Sequence, residues 1–133
     1  REISVNKFIV KQEVLDAFEG YLEAFKRGDQ NGVEKYFSFP NYRFTENGIE
    51  EFDKFHLSLN DLRRRGYADT IAIDTQVVEV NEAKAHLVLR EGLRIKNDGS
   101  PLEEISSFYI FIKESGSWKI KFTSAFVFEK SSE

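Results

Sequence analysis

The sequence has 133 residues, a net charge of −4 at pH 7, and 41% hydrophobic and 32% charged residues. This length suits one globular domain rather than two, so we predict a single domain over residues 1–133, and the composition excludes a disordered chain. The negative charge argues against nucleic-acid binding, because such surfaces carry a basic excess, and no segment approaches the roughly 20 apolar residues of a membrane helix.

Helical periodicity marks the N-terminal half of the chain. Residues 11–27 predict a helix, because one face of that helix collects four apolar residues, Val14, Phe18, Leu22 and Phe25. A second, short helix is predicted over residues 30–37, and a short strand with a turn over residues 41–48. Residues 49–65 predict a third helix, because apolar residues again recur at helical spacing, at Phe52, Phe55, Leu59 and Leu62.

The C-terminal half changes to strand-like alternation. Four segments, joined by short polar turns, predict an antiparallel meander over residues 68–80, 83–96, 103–114 and 117–130. Helices that precede a meander of this kind indicate an α+β fold, with the helices packed on one face of the sheet.

Alternation also predicts which strand residues face the helices. In the last strand the inward set is Trp118, Ile120, Phe122, Phe126 and Phe128, with Ser124 among them. Ser124 either marks a cavity on that face or fits beneath a bulky helix residue. In residues 83–96, Arg94 falls with His86 and Arg90 on the opposite face.

The strand over residues 103–114 is apolar on both sides. Phe108 and Ile110 lie on one side, and Tyr109 and Phe111 on the other. A strand of this kind is usually covered on both faces, and the helices can cover one of them. We predict that a second copy of the chain covers the other face in a homodimer; the alternative cover is the N-terminal segment, residues 3–10.

This order of elements resembles the nuclear transport factor 2-like superfamily, or cystatin-like cone fold, which includes polyketide cyclases, ketosteroid isomerases and uncharacterised members. The resemblance extends from about residue 11 to residue 129 and rests on the segments YLEAFKRGDQNGVEKYF, LRRRGY and GSWKIKF. It implies a curved antiparallel sheet wrapped around the helices, a cone with an internal pocket, and homodimers through the sheet.

The resemblance implies candidate catalytic residues. Isomerases of the superfamily use a carboxylate base and an oxyanion hole that includes a tyrosine, and Tyr21 on the first helix is the candidate phenol. No aspartate falls in residues 41–48, where the base is wanted, and Glu46 is the nearest carboxylate. Cyclase-like members use an aspartate and a histidine as an acid–base pair. Here the candidates are Asp53 and His56, which are three residues apart on the predicted third helix and therefore neighbours on one side of it. His56 either titrates near neutrality as part of this pair or is a structural residue at the edge of the apolar face of the helix.

Glu91 is the fourth candidate. Strict alternation places its carboxylate among leucines on the inward face, where burial would raise its pKa and give it the character of a tuned acid or base. Gly92 follows directly, however, and glycine often marks a β-bulge that would turn Glu91 outward.

Three functions remain open from the sequence. The first is a dimeric domain whose apolar and aromatic pocket binds a small organic molecule. The second is an isomerase, cyclase or dehydratase that works by general acid–base catalysis without a cofactor or metal. The third is an association domain with a filled cone. The absence of cysteine favours a cytoplasmic location.

Overall fold

The computed structural model describes residues 6–130. Within this range the elements follow in the order α1 (Lys7–Lys26), α2 (Gln30–Glu34), β1 (Phe37–Thr45), β2 (Gly48–Phe52), α3 (Leu59–Arg64), β3 (Tyr67–Val80), β4 (Lys84–Lys96), β5 (Pro101–Glu114) and β6 (Ser117–Glu129). Helices followed by a sheet confirm the predicted α+β class.

The first helix forms as its apolar stripe predicts, but it begins four residues earlier, at Lys7. Asn6 caps it, because its side chain accepts a hydrogen bond from the backbone N–H of Ile9 at 3.3 Å. The helix buries Val14, Phe18, Tyr21, Ala24 and Phe25. Residues 7–10 therefore belong to this helix, and residues 3–5 of the proposed covering segment lie outside the described residues.

The six described strands form one sheet in the order β2-β1-β6-β5-β4-β3. The four long strands confirm the predicted meander, since each pairs antiparallel with the next. The sheet is mixed rather than wholly antiparallel, because β1 pairs parallel with β6. Helix α1 packs on one face, which we call the inner face, and contacts β3 and β6.

The prediction of a helix over residues 49–65 is wrong. Residues 48–52 form β2, which returns along β1 through a turn at Glu46 and Asn47, and only Leu59–Arg64 is helical. The apolar residues at helical spacing mimic a helix, yet Asn47-Gly48 is a strong hairpin signal. Gly48 adopts a φ of 114°, in the region that favours glycine.

The inward set predicted for the last strand is wrong beyond Ile120. Ile120 lies opposite Phe111 and Phe122 lies opposite Ile110, so Lys121 is an extra residue in the β6 ladder. A β-bulge of one residue reverses the faces of everything that follows it. Thr123 is consequently buried, whereas Ser124 turns to the outer face, where its hydroxyl donates to the Phe44 carbonyl at 3.2 Å.

A second bulge does the same in β4. Leu89 pairs with Ser107 and Gly92 with Ile105, so that Arg90 and Glu91 together oppose one residue of β5. Gly92 is buried after the bulge, and the Arg94 side chain is only 12% exposed. The prediction that Arg94 lies outside with His86 is therefore wrong.

The other face of the sheet, which we call the outer face, carries an apolar surface. Its phenylalanines lie on the adjacent strands β1, β6 and β5. Phe44 of β1 pairs with Ser124 of β6, and Ser124 pairs with Phe108 of β5. Phe126 and Phe128 are 63% and 54% exposed and stack with their ring centroids 6.2 Å apart. Side chains of β5 thus line both faces of the sheet, as the sequence predicts.

Candidate functional site

A cavity of about 60 Å³ lies between α1, the loop before α3 and the inner face of the sheet. It is lined by Tyr21, Arg43, His56, Leu57, Arg94, Ile105, Ser107, Tyr109, Thr123, Ala125 and Val127. A smaller cavity of about 20 Å³ adjoins it and shares four of these residues, Tyr21, Arg94, Ile105 and Tyr109. The lining therefore combines aromatic and aliphatic side chains with two guanidinium groups.

Arg43 and His56 meet at the wall of the cavity. Arg43 lies on β1 opposite Thr123 of β6, and its Nη1 is 2.9 Å from His56 Nε2. Burial, together with the positive charges of Arg43 and Arg94, lowers the pKa of His56 to about 3. The imidazole is uncharged at neutral pH, so its Nε2 accepts the hydrogen bond that Arg43 donates.

The loop that carries His56 and Leu57 is fastened to α2 by two side chains. Gln30 donates to the Leu57 carbonyl at 2.8 Å and accepts from the Leu59 N–H at 3.0 Å. Glu34 accepts from the Phe55 N–H at 3.0 Å. These bonds replace helical hydrogen bonds in this segment and hold His56 against Arg43.

Arg94 reaches the cavity from β4 and is paired with a buried carboxylate. Glu103, 3% exposed, accepts from Arg94 Nη1 at 2.7 Å and from Arg65 Nη2 at 2.5 Å. Burial on its own would raise the pKa of Glu103, but the two guanidinium groups together outweigh it and lower the pKa. The Arg94 guanidinium also lies 5.1 Å from the ring centroid of Phe25, a cation–π contact.

Two buried phenols complete the polar lining. The rings of Tyr21 and Tyr109 lie edge to face with their centroids 6.3 Å apart. Burial raises the pKa of Tyr109 and raises that of Tyr21 well above its usual value near 10. Both side chains therefore stay protonated at neutral pH and can donate hydrogen bonds.

Two polar atoms of the cavity-lining residues have no hydrogen-bond partner among the described residues. They are the Thr123 hydroxyl and the Nε of Arg94, both buried. A buried polar group without a partner costs about 1–3 kcal/mol. The lining thus contains two hydrogen-bonding groups, the Thr123 hydroxyl and the Arg94 Nε–H, that have no partner among the described residues.

A family model described as "NTF2-like protein (DUF6841)" matches residues 12–125 of the chain. The chain belongs to this NTF2-like family. The match covers most of the sequence and confirms the resemblance to the nuclear transport factor 2-like superfamily. No curated protein matches the NTF2-like chain in sequence.

Solved structures share the fold at low sequence identity. A protein of unknown function with a cystatin-like fold from Nostoc punctiforme is 11% identical, with a TM-score of 0.67 and coverage of 95% of each chain. A "Putative Scytalone Dehydratase" from Novosphingobium aromaticivorans is 12% identical (TM-score 0.69; 95% of this chain, 91% of that chain). The association domain of C. elegans CaMKII is 13% identical (TM-score 0.64; 90% and 96%). Identity this low shows the NTF2-like fold alone.

The structure of this NTF2-like chain brings together two of the four predicted site residues. Tyr21 and His56 line the cavity, whereas Asp53 is exposed in the loop after β2 and Glu91 is exposed in the β4 bulge. Asp53 and His56 do not share a helix, and a pKa near 3 contradicts titration of His56 near neutrality. The catalytic role assigned to these four residues stays a prediction.

Sequence reasoning missed Arg43, Arg94, Tyr109 and Thr123. Arg43 could have been found by alternation, because residues 41 and 43 of a strand lie on the same face and Asn41 is buried. The other positions depend on bulges or on packing that alternation does not report.

Residues 6–130 contain no group of three or more histidine, cysteine or acidic side chains placed to hold a metal ion. No helix in this range is both long and apolar enough to cross a membrane. Glu46, the carboxylate nearest to the isomerase base position, is exposed in the β1–β2 turn.

Proposed function

We propose that this NTF2-like chain is a small-molecule-binding domain and that its ligand occupies the inner cavity. The observation that carries the proposal is that the Thr123 hydroxyl and the Arg94 Nε have no hydrogen-bond partner and belong to residues that line this cavity. Protein interiors rarely leave such groups unsatisfied, and a bound molecule with acceptor atoms would satisfy them. The cavity also argues against a filled cone that serves association alone.

The protonation states of the lining favour binding over general acid–base catalysis. A useful acid or base has a pKa near the working pH. His56 is held neutral with its Nε2 occupied by Arg43, while the phenols of Tyr21 and Tyr109 stay protonated. An isomerase, cyclase or dehydratase reaction is the alternative function, and it would need a base from the substrate or from a rearranged loop.

Native mass spectrometry tests the proposal directly. We expect the freshly purified protein to retain a small organic molecule that is lost under denaturing conditions. Ala125→Leu, which adds volume to the cavity wall, should abolish retention. Ala83→Leu, at an exposed position in the β3–β4 turn, is the matched control and should retain it. Equal retention by both variants would place the molecule elsewhere.

We also propose that the domain is a homodimer through the outer face. Exposed Phe44, Phe126 and Phe128 lie there beside half-buried Phe108 and Phe122. Contiguous apolar surface on one face of a sheet is typical of an interface, and a two-fold axis lets the same surface cover itself. An association domain among the structures with this fold supports a second copy of the chain as the cover.

Phe126→Glu is expected to weaken dimerisation at least about ten-fold, because a charge replaces an apolar side chain at the proposed interface. Analytical ultracentrifugation over a concentration series measures the change. Phe8→Glu is the control, since Phe8 is 79% exposed on α1, away from the outer face. A wild-type protein that sediments as a monomer at micromolar concentration would contradict the dimer.

The assignment of residues 1–133 to one domain and the cytoplasmic location belong to this proposal. The family model supports the first, because it runs from residue 12 to residue 125 without interruption. The absence of cysteine supports the second.

A further inference from the structure

Arg43 carries a positive charge that no carboxylate of residues 6–130 approaches to within ion-pair distance. Its guanidinium makes one side-chain hydrogen bond, to the neutral His56. Arg94, by contrast, is paired with Glu103. Glu50 lies opposite Arg43 in the β1–β2 register and its charge acts on Arg43, but it is exposed and does not approach within ion-pair distance. Burial lowers the pKa of Arg43, which reports the cost of holding this charge inside the protein.

The cavity also offers donors without matching acceptors. Its lining includes the unpartnered Thr123 hydroxyl and Arg94 Nε, together with the N–H groups of Arg43 that His56 does not accept. The phenols of Tyr21 and Tyr109 also line it and hydrogen-bond to each other. No lining residue in the described part of the chain is acidic. A partner that fits this lining therefore brings a negative charge and oxygen acceptors, and it does not need to donate.

We infer that the ligand of this cavity is a short-chain carboxylate, with its two oxygens on the Arg43 guanidinium and its chain against Leu57, Ala125 and Val127. The inference rests on the proposed function and names its ligand class. A guanidinium matches a planar carboxylate with two parallel hydrogen bonds. A volume of 60 Å³ corresponds to about four to six water-sized groups, which limits the ligand to a few carbon atoms.

Butyrate and butyramide test the charge requirement, because they share shape and number of non-hydrogen atoms. Each is titrated into the intact protein near neutral pH and followed by amide NMR shifts. We expect butyrate to bind and butyramide to bind at least about ten-fold more weakly. Arg43→Met should weaken butyrate about ten-fold and butyramide by less, because the amide loses a weaker, uncharged acceptor contact. Arg90→Met, at an exposed arginine in the β4 bulge, should change neither.

Thr123→Val is a second variant that keeps the shape of the core. It removes an unpartnered hydroxyl, so we expect the unliganded protein to be as stable as the wild type or more stable, while butyrate binds several-fold more weakly. If Thr123 had only a structural role, its replacement would not leave stability unchanged or higher while it weakens butyrate binding.

The outcomes separate the two proposals. Butyramide binding as tightly as butyrate, or inorganic phosphate binding more tightly than butyrate, would overturn the carboxylate inference and leave a ligand-binding cavity. Failure of all three probes, with no molecule retained in native mass spectrometry, would contradict the proposed function itself.

Discussion

Replacing Glu103 by glutamine is expected to lower the free energy of unfolding by about 3 kcal/mol. The Glu103 carboxylate is 3% exposed and hydrogen-bonds to both Arg94 and Arg65. An amide has no charge to offset the Arg94 guanidinium, whose side chain is only 12% exposed. Removing one partner of a buried pair leaves the other charge unpaired, which is the costly case.

Glu104→Gln is the matched control on the adjacent residue. Glu104 also pairs with a cation, Lys130, at 2.9 Å, but the two side chains are 39% and 42% exposed. Exposed pairs contribute about 1 kcal/mol or less, so this variant should unfold at nearly the same urea concentration as the wild type. Equal losses in the two variants would show that burial of the Glu103 network carries no special cost.

Acid should erase the difference between wild type and Glu103→Gln. The pKa of Glu103 is lowered in the folded protein, so its stabilising contribution is present above the pKa of the unfolded chain, near 4.5. It is lost as the pH falls through the folded-state value. Urea titrations at fixed protein concentration, at pH 7 and at successively lower pH, follow the convergence of the two variants.

Long periodic segments are the part of this fold that the sequence predicts well. The first helix and the four long strands each repeat their apolar residues over ten or more positions, and the period of 3.6 or 2 identifies the element. Turn chemistry at each junction gives the antiparallel order of the meander. The class and the family resemblance follow from that order.

Short elements are misread because few residues define their period. Phe52, Phe55, Leu59 and Leu62 sit at helical spacing, yet Phe52 ends a strand and Phe55 lies in a loop. The loop holds its shape through the side chains of α2, a long-range effect that no local pattern reports. His56 consequently points into the cavity for reasons other than those that first suggested it.

Bulges explain why two of the four missed site residues, Arg94 and Thr123, are assigned to the wrong face. Alternation assigns a face to every residue, but one inserted residue restarts the alternation in the opposite phase. The Lys121 bulge brings Thr123 inside, and the bulge at Arg90 and Glu91 does the same for Arg94. The two irregularities thus turn polar residues towards the cavity and leave apolar Phe126 on the outer face.

Acidification between pH 7 and pH 5 is expected to destabilise the wild type by roughly 2 kcal/mol through His56 alone. The pKa of His56 is about 3 in the folded protein, against 6.5 for an unperturbed imidazole. Between these two values the unfolded chain binds more protons than the folded protein, so stability falls as the pH falls. Arg43 stays charged, and Tyr21 and Tyr109 stay neutral, throughout this range.

His56→Gln isolates this effect, because an amide oxygen can still accept from Arg43 but does not titrate. Its free energy of unfolding should be nearly flat between pH 7 and pH 5, whereas that of the wild type should fall over the same range. An imidazole signal of His56 that titrates near pH 6.5 in the folded protein would refute the expectation. Such a result would mean that water or a displaced loop shields His56 from Arg43. His56 would then not be the neutral acceptor that orients the Arg43 guanidinium.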